Sequence, residues 1–244
     1  MIIAVKMRNV VLCTAGAALL VALTVGVGIT SAAGIWAGRP PRRLPVYSVQ
    51  TDERLAALTF DVCGPRGDIG RITEILQESG TPATFFVTGF WAEGNSETLR
   101  GLSQAGHEIG THGNTHINMA RLSSGIIGLE LEVSARAISG VTGVRPELFR
   151  PPDGGYSDNL ITVAEQLGFM TLMGDIDAGA AGGSPEQIAV NVLSRIGKGS
   201  IIILKSDSAA AVASLPLIIE GARNMGFGFV SAGKLAGLSG ADTV

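Results

Sequence analysis

The stretch LAALTFDVCGPRGDIGRITEILQE, residues 55–78, decides the fold. Leu55 to Phe60 is a short, nearly continuous apolar run, the pattern of a strand buried on both faces. Asp61, Val62 and Cys63 follow, then a glycine- and proline-bearing loop. From Ile69 to Glu78 the pattern turns amphipathic at helical spacing. This is a strand, a loop and a helix, and the unit recurs down the chain. Strands are predicted over Thr84–Val87, Glu108–Thr111, Leu148–Arg150, Met170–Met173, Ser200–Leu204 and Phe227–Val230. Helices are predicted over Ser96–Ala105, Ser123–Ser139, Ser157–Leu167, Pro185–Ile196 and Ala210–Asn224. Ser184-Pro185-Glu186 opens one helix, and Gly80, Gly140 and Gly168 close others. Seven such units in about 190 residues predict an α/β domain over residues 51–240, with a parallel sheet that is open or closed into a barrel. No internal repeat and no second domain boundary interrupt it.

The whole chain has 244 residues, 46% hydrophobic and 16% charged, which excludes a disordered chain and permits a full core. Its two cysteines, Cys13 and Cys63, exclude a disulfide framework and a four-cysteine zinc site, and both thiols are expected free. All charges before residue 44 are positive: Lys6, Arg8, Arg39, Arg42 and Arg43. Taking these five from the 18 Lys+Arg leaves 13 against 21 Asp+Glu, about −8 for the remainder. An acidic body with few aromatics is a poor partner for phosphate backbones, so nucleic-acid binding is not expected.

Between Arg8 and Arg39 no charge appears, and Val10 to Ile35 is long enough to span a bilayer as a helix. An uncleaved anchor over residues 1–38 is the preferred reading. A cleaved signal peptide, with Ser31-Ala32-Ala33 as the processing site, is the competitor. Arg39, Arg42 and Arg43 compete with Lys6 and Arg8, so the charge rule leaves the orientation open. Residues 39–50, opened by Pro40-Pro41, read as a stiff spacer and lead-in.

In a parallel α/β fold the chemistry gathers at the carboxyl ends of the strands. Those ends carry Asp61, His112 and His116, Arg150 with Pro151-Pro152-Asp153, Asp175 with Asp177, and Lys205. Two imidazoles four residues apart suit a borderline divalent metal, and Arg150 suits a carboxylate through its two-pronged fork. His107 precedes its strand and is assigned a structural role.

In this order the residues resemble the polysaccharide deacetylase family with the NodB homology domain, from about Leu44 to Lys234. Thr59-Phe60-Asp61-Val62 resembles its first motif, His112-Gly113-Asn114-Thr115-His116 its second and Arg150-Pro151-Pro152-Asp153 its third. Leu44 to Val49 and Gly89-Phe90-Trp91-Ala92 are similar to the membrane-anchored branch of spore-forming bacteria. The resemblance implies a distorted (β/α) barrel of about seven parallel strands, on the extracytoplasmic side of the cell membrane. It further implies metal-assisted removal of N-acetyl groups from cell-wall glycan such as peptidoglycan or a chitin-like chain. Zinc or a similar divalent ion is then held by His112 and His116. Asp61 is the base, Arg150 orients it, and Asp177 matches the acid of the fourth motif. Lys205 takes the place of the family's general-acid histidine.

The departures are specific. Val62 stands where a second aspartate would ligate the ion, Asp153 replaces an aromatic, and no Trp follows Asp177. Lys205 donates a proton near neutrality only with a depressed pKa, and an adjacent Asp177 would favour its ammonium form. The expectation is therefore an Asp177–Lys205 ion pair and slow chemistry. Two readings stay open: a slow deacetylase with Asp153 or Cys63 as a compensating ligand, or a non-catalytic glycan-binding module. The oligomeric state is not legible.

Overall fold

The computed structural model describes residues 42–64, 67–179 and 182–238, and a single compact unit begins at Arg43. The expected membrane span, Val10–Ile35, lies outside the described residues. Among those residues no helix is long and apolar enough to cross a membrane.

The strands are β1 (Leu55–Val62), β2 (Thr84–Val87), β3 (Glu108–Thr111), β4 (Leu148–Phe149), β5 (Met170–Thr171), β6 (Ile176–Asp177), β7 (Ile201–Lys205) and β8 (Gly228–Phe229). The helices are α1 (Ile69–Glu78), α2 (Gly89–Gly94), α3 (Ser96–Gln104), α4 (Ser124–Thr142), α5 (Asp158–Gln166), α6 (Pro185–Arg195), α7 (Ala209–Asn224) and α8 (Ala232–Leu235). The strands order as β5-β4-β3-β2-β1-β7-β6, all pairs parallel, with β8 added beside β1. Here the expectation of about seven strands needs correction. β6 is an additional two-residue strand, and the sheet curls into a half-barrel rather than closing, since β5 and β6 end the path unpaired with each other. Such short strands carry too little periodicity to be read from sequence.

The lead-in lies across that open side. The Val46 N–H donates to the Thr171 carbonyl at 2.9 Å, and the Met173 N–H donates to the Val46 carbonyl at 2.7 Å. Three residues on, the Val49 N–H donates to the Gly199 carbonyl at 2.9 Å. Residues 46–49 thus pair with backbone groups of β5 and of Gly199–Ser200, just ahead of β7, along the open side.

Strand alternation sorts the core into two layers. Ala56, Leu58, Phe60 and Val62 face the helices, packed with Ile72, Leu76, Phe85, Val87, Leu204 and Leu215. Ala57 faces inward with Phe86, Leu148, Leu172, Ile201, Ala232 and Leu235. The barrel floor is therefore an apolar plug. It is tied shut by Glu108, whose Oε2 accepts the Thr84 hydroxyl at 2.7 Å and the Gly233 N–H at 2.9 Å. The same Thr84 oxygen accepts the Ala232 N–H at 2.8 Å. His107 sits beside this knot, buried against Phe85 and held neutral by burial, in the structural role expected of it.

Glu108→Ala orphans the Thr84 hydroxyl and the Gly233 N–H in a buried site. It should lower the unfolding free energy by about 1–3 kcal/mol in urea denaturation, with an unchanged m-value.

Candidate active site

The alternation that fills the floor also selects the mouth. On β1, Asp61 shares the inward side with Ala57 and Thr59, while Val62 turns outward under the helices. On β4, Leu148 is inward and Arg150, two residues on, follows it. On β7, Ile201 is inward, so Ile203 and Lys205 are too. Gly110 faces the Phe86 ring so closely that an added Cβ would lie 2.7 Å from it, and His112 continues on that side. The registers pair Asp61 with Lys205 on one flank and with Phe86 on the other. An inward polar layer therefore caps an inward apolar plug.

Arg150 is the centre of this layer. It is 2% exposed, and its Nη1 donates to Asp61 Oδ1 at 2.8 Å. Nη2 donates to the Met173 carbonyl at 2.9 Å, and Nε reaches the Leu172 carbonyl at 3.4 Å. Its Cζ lies 4.1 Å from the Phe86 ring centroid, a cation–π contact from below. Held by two carbonyls and the Phe86 face, the guanidinium presents Nη1 to the Asp61 carboxylate and orients it. Burial pushes the Asp61 carboxyl up, but Arg150, with His112 and His116, outweighs it and holds the group below the usual carboxylate range. Burial lowers the Arg150 pKa, and Asp61 and Asp177 oppose that shift.

His112 is buried, and its Nδ1 meets the Arg150 carbonyl at 2.8 Å. Burial pushes its pKa down, so the ring is neutral near neutrality; Nδ1–H then donates to that carbonyl and Nε2 keeps a free lone pair. The His116 ring lies edge-on to it, with centroids 5.0 Å apart. The loop between them is forced: Gly113 and His116 both have positive φ, 76° and 62°. Glu130 on α4 pays for that geometry. Its Oε2 accepts the Asn114 and Thr115 N–H groups, each at 2.9 Å, and its Oε1 accepts the Thr115 hydroxyl at 2.9 Å. Sequence reading missed Glu130. The available signal was an acid within the apolar helical run Ile126–Val133.

Two imidazoles beside a carboxylate fit a divalent ion held by His112 and His116, the donor set that the resemblance implied. Among the described residues no third protein ligand joins the two histidines. Val62 is fully buried on the outer side of β1, so that position differs in direction as well as in chemistry. Among the described residues no three His, Cys, Asp or Glu side chains form a metal-binding group. The expected compensation by Asp153 or Cys63 is thereby corrected. Asp153 is exposed, on a 3-10 turn at φ 54°. Cys63 is an exposed free thiol, pushed up by burial and by Asp207, Asp61 and Asp153.

The expected Asp177–Lys205 ion pair is corrected too, since the described residues contain none between these two. Asp177 Oδ1 instead accepts the Gly179 N–H at 2.8 Å, and Lys205 is exposed. The reason is register: Asp177 pairs with Ile203, two residues short of Lys205 along β7. Asp175, two residues before Asp177, is structural and holds the start of β7 through Ser200 and the Ile201 N–H.

A family model described as polysaccharide deacetylase matches residues 48–172. The chain is 28% identical over 184 residues to the "Uncharacterized protein YlxY" of Bacillus subtilis (strain 168), covering 75% of this chain and 57% of that one. It is 25% identical over 201 residues to a peptidoglycan-N-acetylglucosamine deacetylase of Bacillus cereus, covering 80% of this chain and 94% of that one. Among solved structures it is similar to BA3943, a CE4 family pseudoenzyme from Bacillus anthracis. The TM-score is 0.75 at 26% identity, covering 79% of this chain and 68% of that one.

Asp61→Asn leaves the Arg150 charge buried without its partner and should cost about 3–5 kcal/mol of stability at neutral pH. The folded pKa of Asp61 is depressed. Its contribution is therefore present above the unfolded value of about 3.9 and lost as pH falls through the folded value. The stability difference between wild type and Asp61→Asn, followed by urea denaturation, should shrink below about pH 4.

Proposed function

This chain belongs to the polysaccharide deacetylase family, and on that premise we propose that it is a slow, metal-assisted hydrolase removing N-acetyl groups from cell-wall polysaccharide. The observation that carries the reading is the buried Arg150–Asp61 pair, 2.8 Å apart and set beside two imidazoles on one mouth. His112 and His116 would hold a divalent ion, zinc in this reading, and the chemistry it would supply there is Lewis-acid polarisation of the acetyl carbonyl and of the attacking water. Asp61, kept ionised and oriented by Arg150, takes the proton from that water. Lys205, one strand over in register with Asp61, stands where the leaving amine needs a proton. A lysine in place of the family's histidine at this position is the departure that makes the chemistry slow in this reading. Asp177 adds negative charge behind Arg150.

Peptidoglycan is the substrate favoured by the named activity of the Bacillus cereus relative. The apolar run from Val10 to Ile35, preceded by Lys6 and Arg8, supports a domain held on the extracytoplasmic side of the cell membrane, or released there after cleavage. A role in spore-wall formation fits the same placement.

One observation favours a second reading, a non-catalytic glycan-binding protein on the same fold. Val62 contributes no ligand and faces away from the mouth. Likeness to a pseudoenzyme supports it.

The two readings separate on acetate release from N-acetylated peptidoglycan fragments with added zinc. Catalysis predicts release that Asp61→Asn lowers by about two to four orders of magnitude, and that dialysis against a chelator removes and zinc restores. Fragment binding without acetate, indifferent to chelator, would establish the second reading instead.

A further inference from the structure

The opposite end of the sheet carries a second opening, lined by groups that the mouth does not use. A cavity of about 170 Å³ lies beneath the floor, between the amino ends of β3 and β4 and the carboxyl ends of α3 and α4. That volume suits one compact molecule of about benzene size. Ile109, Val144, Leu148 and Leu238 give it an apolar wall, and His107, Glu108 and Glu147 place polar groups in that wall.

His107 is 7% exposed and meets the Phe85 ring edge-on, with centroids 5.4 Å apart. Among the described residues its Nδ1, itself buried, has no hydrogen-bond partner. Buried polar atoms in a native fold are nearly always paired, so an orphaned one in a cavity wall points to a ligand. The ring is held neutral by burial and so keeps an acceptor lone pair.

The charge around this histidine is negative. Burial raises the Glu108 pKa against the hydrogen bonds from Gly233 and Thr84, and the neighbouring Glu147 raises it further. Glu147 is exposed at the rim. Arg145, the cation of the same wall, is engaged elsewhere: Nη2 donates to Glu132 Oε1 at 2.7 Å and to the Leu167 carbonyl at 3.2 Å. Its Cζ lies 5.0 Å from the Phe169 ring centroid. Two helices also end here, and the carboxyl end of a helix favours positive charge.

We propose that this cavity binds a small primary amine with a compact apolar body. The ammonium group lies between Glu108 and Glu147 and donates to the His107 ring, while the body packs on Ile109, Leu148 and Leu238. An anion would face two carboxylates and two helix carboxyl ends. A neutral molecule would leave that charge unmet. Among the described residues these side chains form no metal-binding group, so the geometry favours an organic cation over a metal ion. The site lies at the other end of the strands from Asp61 and the histidine pair, and it does not rest on the deacetylase reading of the mouth.

The test is ligand-detected NMR titration of the full chain with benzylamine at neutral pH, with benzyl alcohol as its uncharged counterpart. Wild type should bind the amine saturably, and the alcohol at least about tenfold more weakly. Glu147→Gln alters an exposed rim and should weaken amine binding about three- to tenfold. His107→Phe keeps a ring against Phe85, removes both nitrogens and should weaken it about tenfold. Unchanged melting temperatures check that the variants fold, and Glu147→Gln carries the test alone if His107→Phe does not. Asp153→Asn, at an exposed acid beside the mouth, should leave amine affinity within about twofold. The proposal is overturned if wild type shows no saturable binding, or if the alcohol binds as well as the amine. Amine affinity unchanged in Glu147→Gln overturns it as well. Binding lost in Asp153→Asn moves the amine to the mouth and overturns it too.

Discussion

A guanidinium buried in a half-barrel is the constraint on which the mouth of this protein depends. Arg150 brings a full charge into a place where desolvation alone would be costly. Its three nitrogens reach a carboxylate and two backbone carbonyls, and the face of Phe86 lies against it. Its own carbonyl in turn fixes the His112 ring. One side chain therefore orients the aspartate through its head group and a histidine through its backbone. A change there would be felt at both, which is why the site behaves as a unit.

The layered interior explains how so much charge is tolerated. Below the mouth, inward positions are Ala57, Phe86, Leu148, Leu172 and Ile201, a dry plug. At the strand ends the same inward side continues as Asp61, His112, Arg150 and Lys205. Pleating makes this inevitable once register is set, because residues two apart share a face. The lead-in strap and the Glu108 knot close the side and the bottom, leaving the strand ends as the polar opening.

The departures from the family pattern follow from the same geometry. At position 62 the strand is still paired, with Val87, and its outward side chain serves the helix layer. Metal affinity at such a site rests on two imidazoles and on how firmly their loop is held. Glu130 supplies that firmness, collecting two N–H groups and a hydroxyl between the histidines. The site thus keeps the aspartate, the arginine that orients it and the imidazole pair, while the side chain at position 62 serves packing.

Much of this was legible along the chain. The strand–helix alternation, the α1 boundaries at Ile69 and Glu78, and the gathering of Asp61, His112 and Arg150 at strand ends all follow from local pattern. Periodicity and turn chemistry are properties of neighbours in sequence. What only the tertiary structure decided are relations between distant segments: the open gap between β5 and β6, the strap over it, and the grip of Glu130 on the histidine loop. The absence of an Asp177–Lys205 pair belongs with these. Whether two charges meet depends on the register between strands, and register is set by how the whole sheet packs, which no short window of residues records.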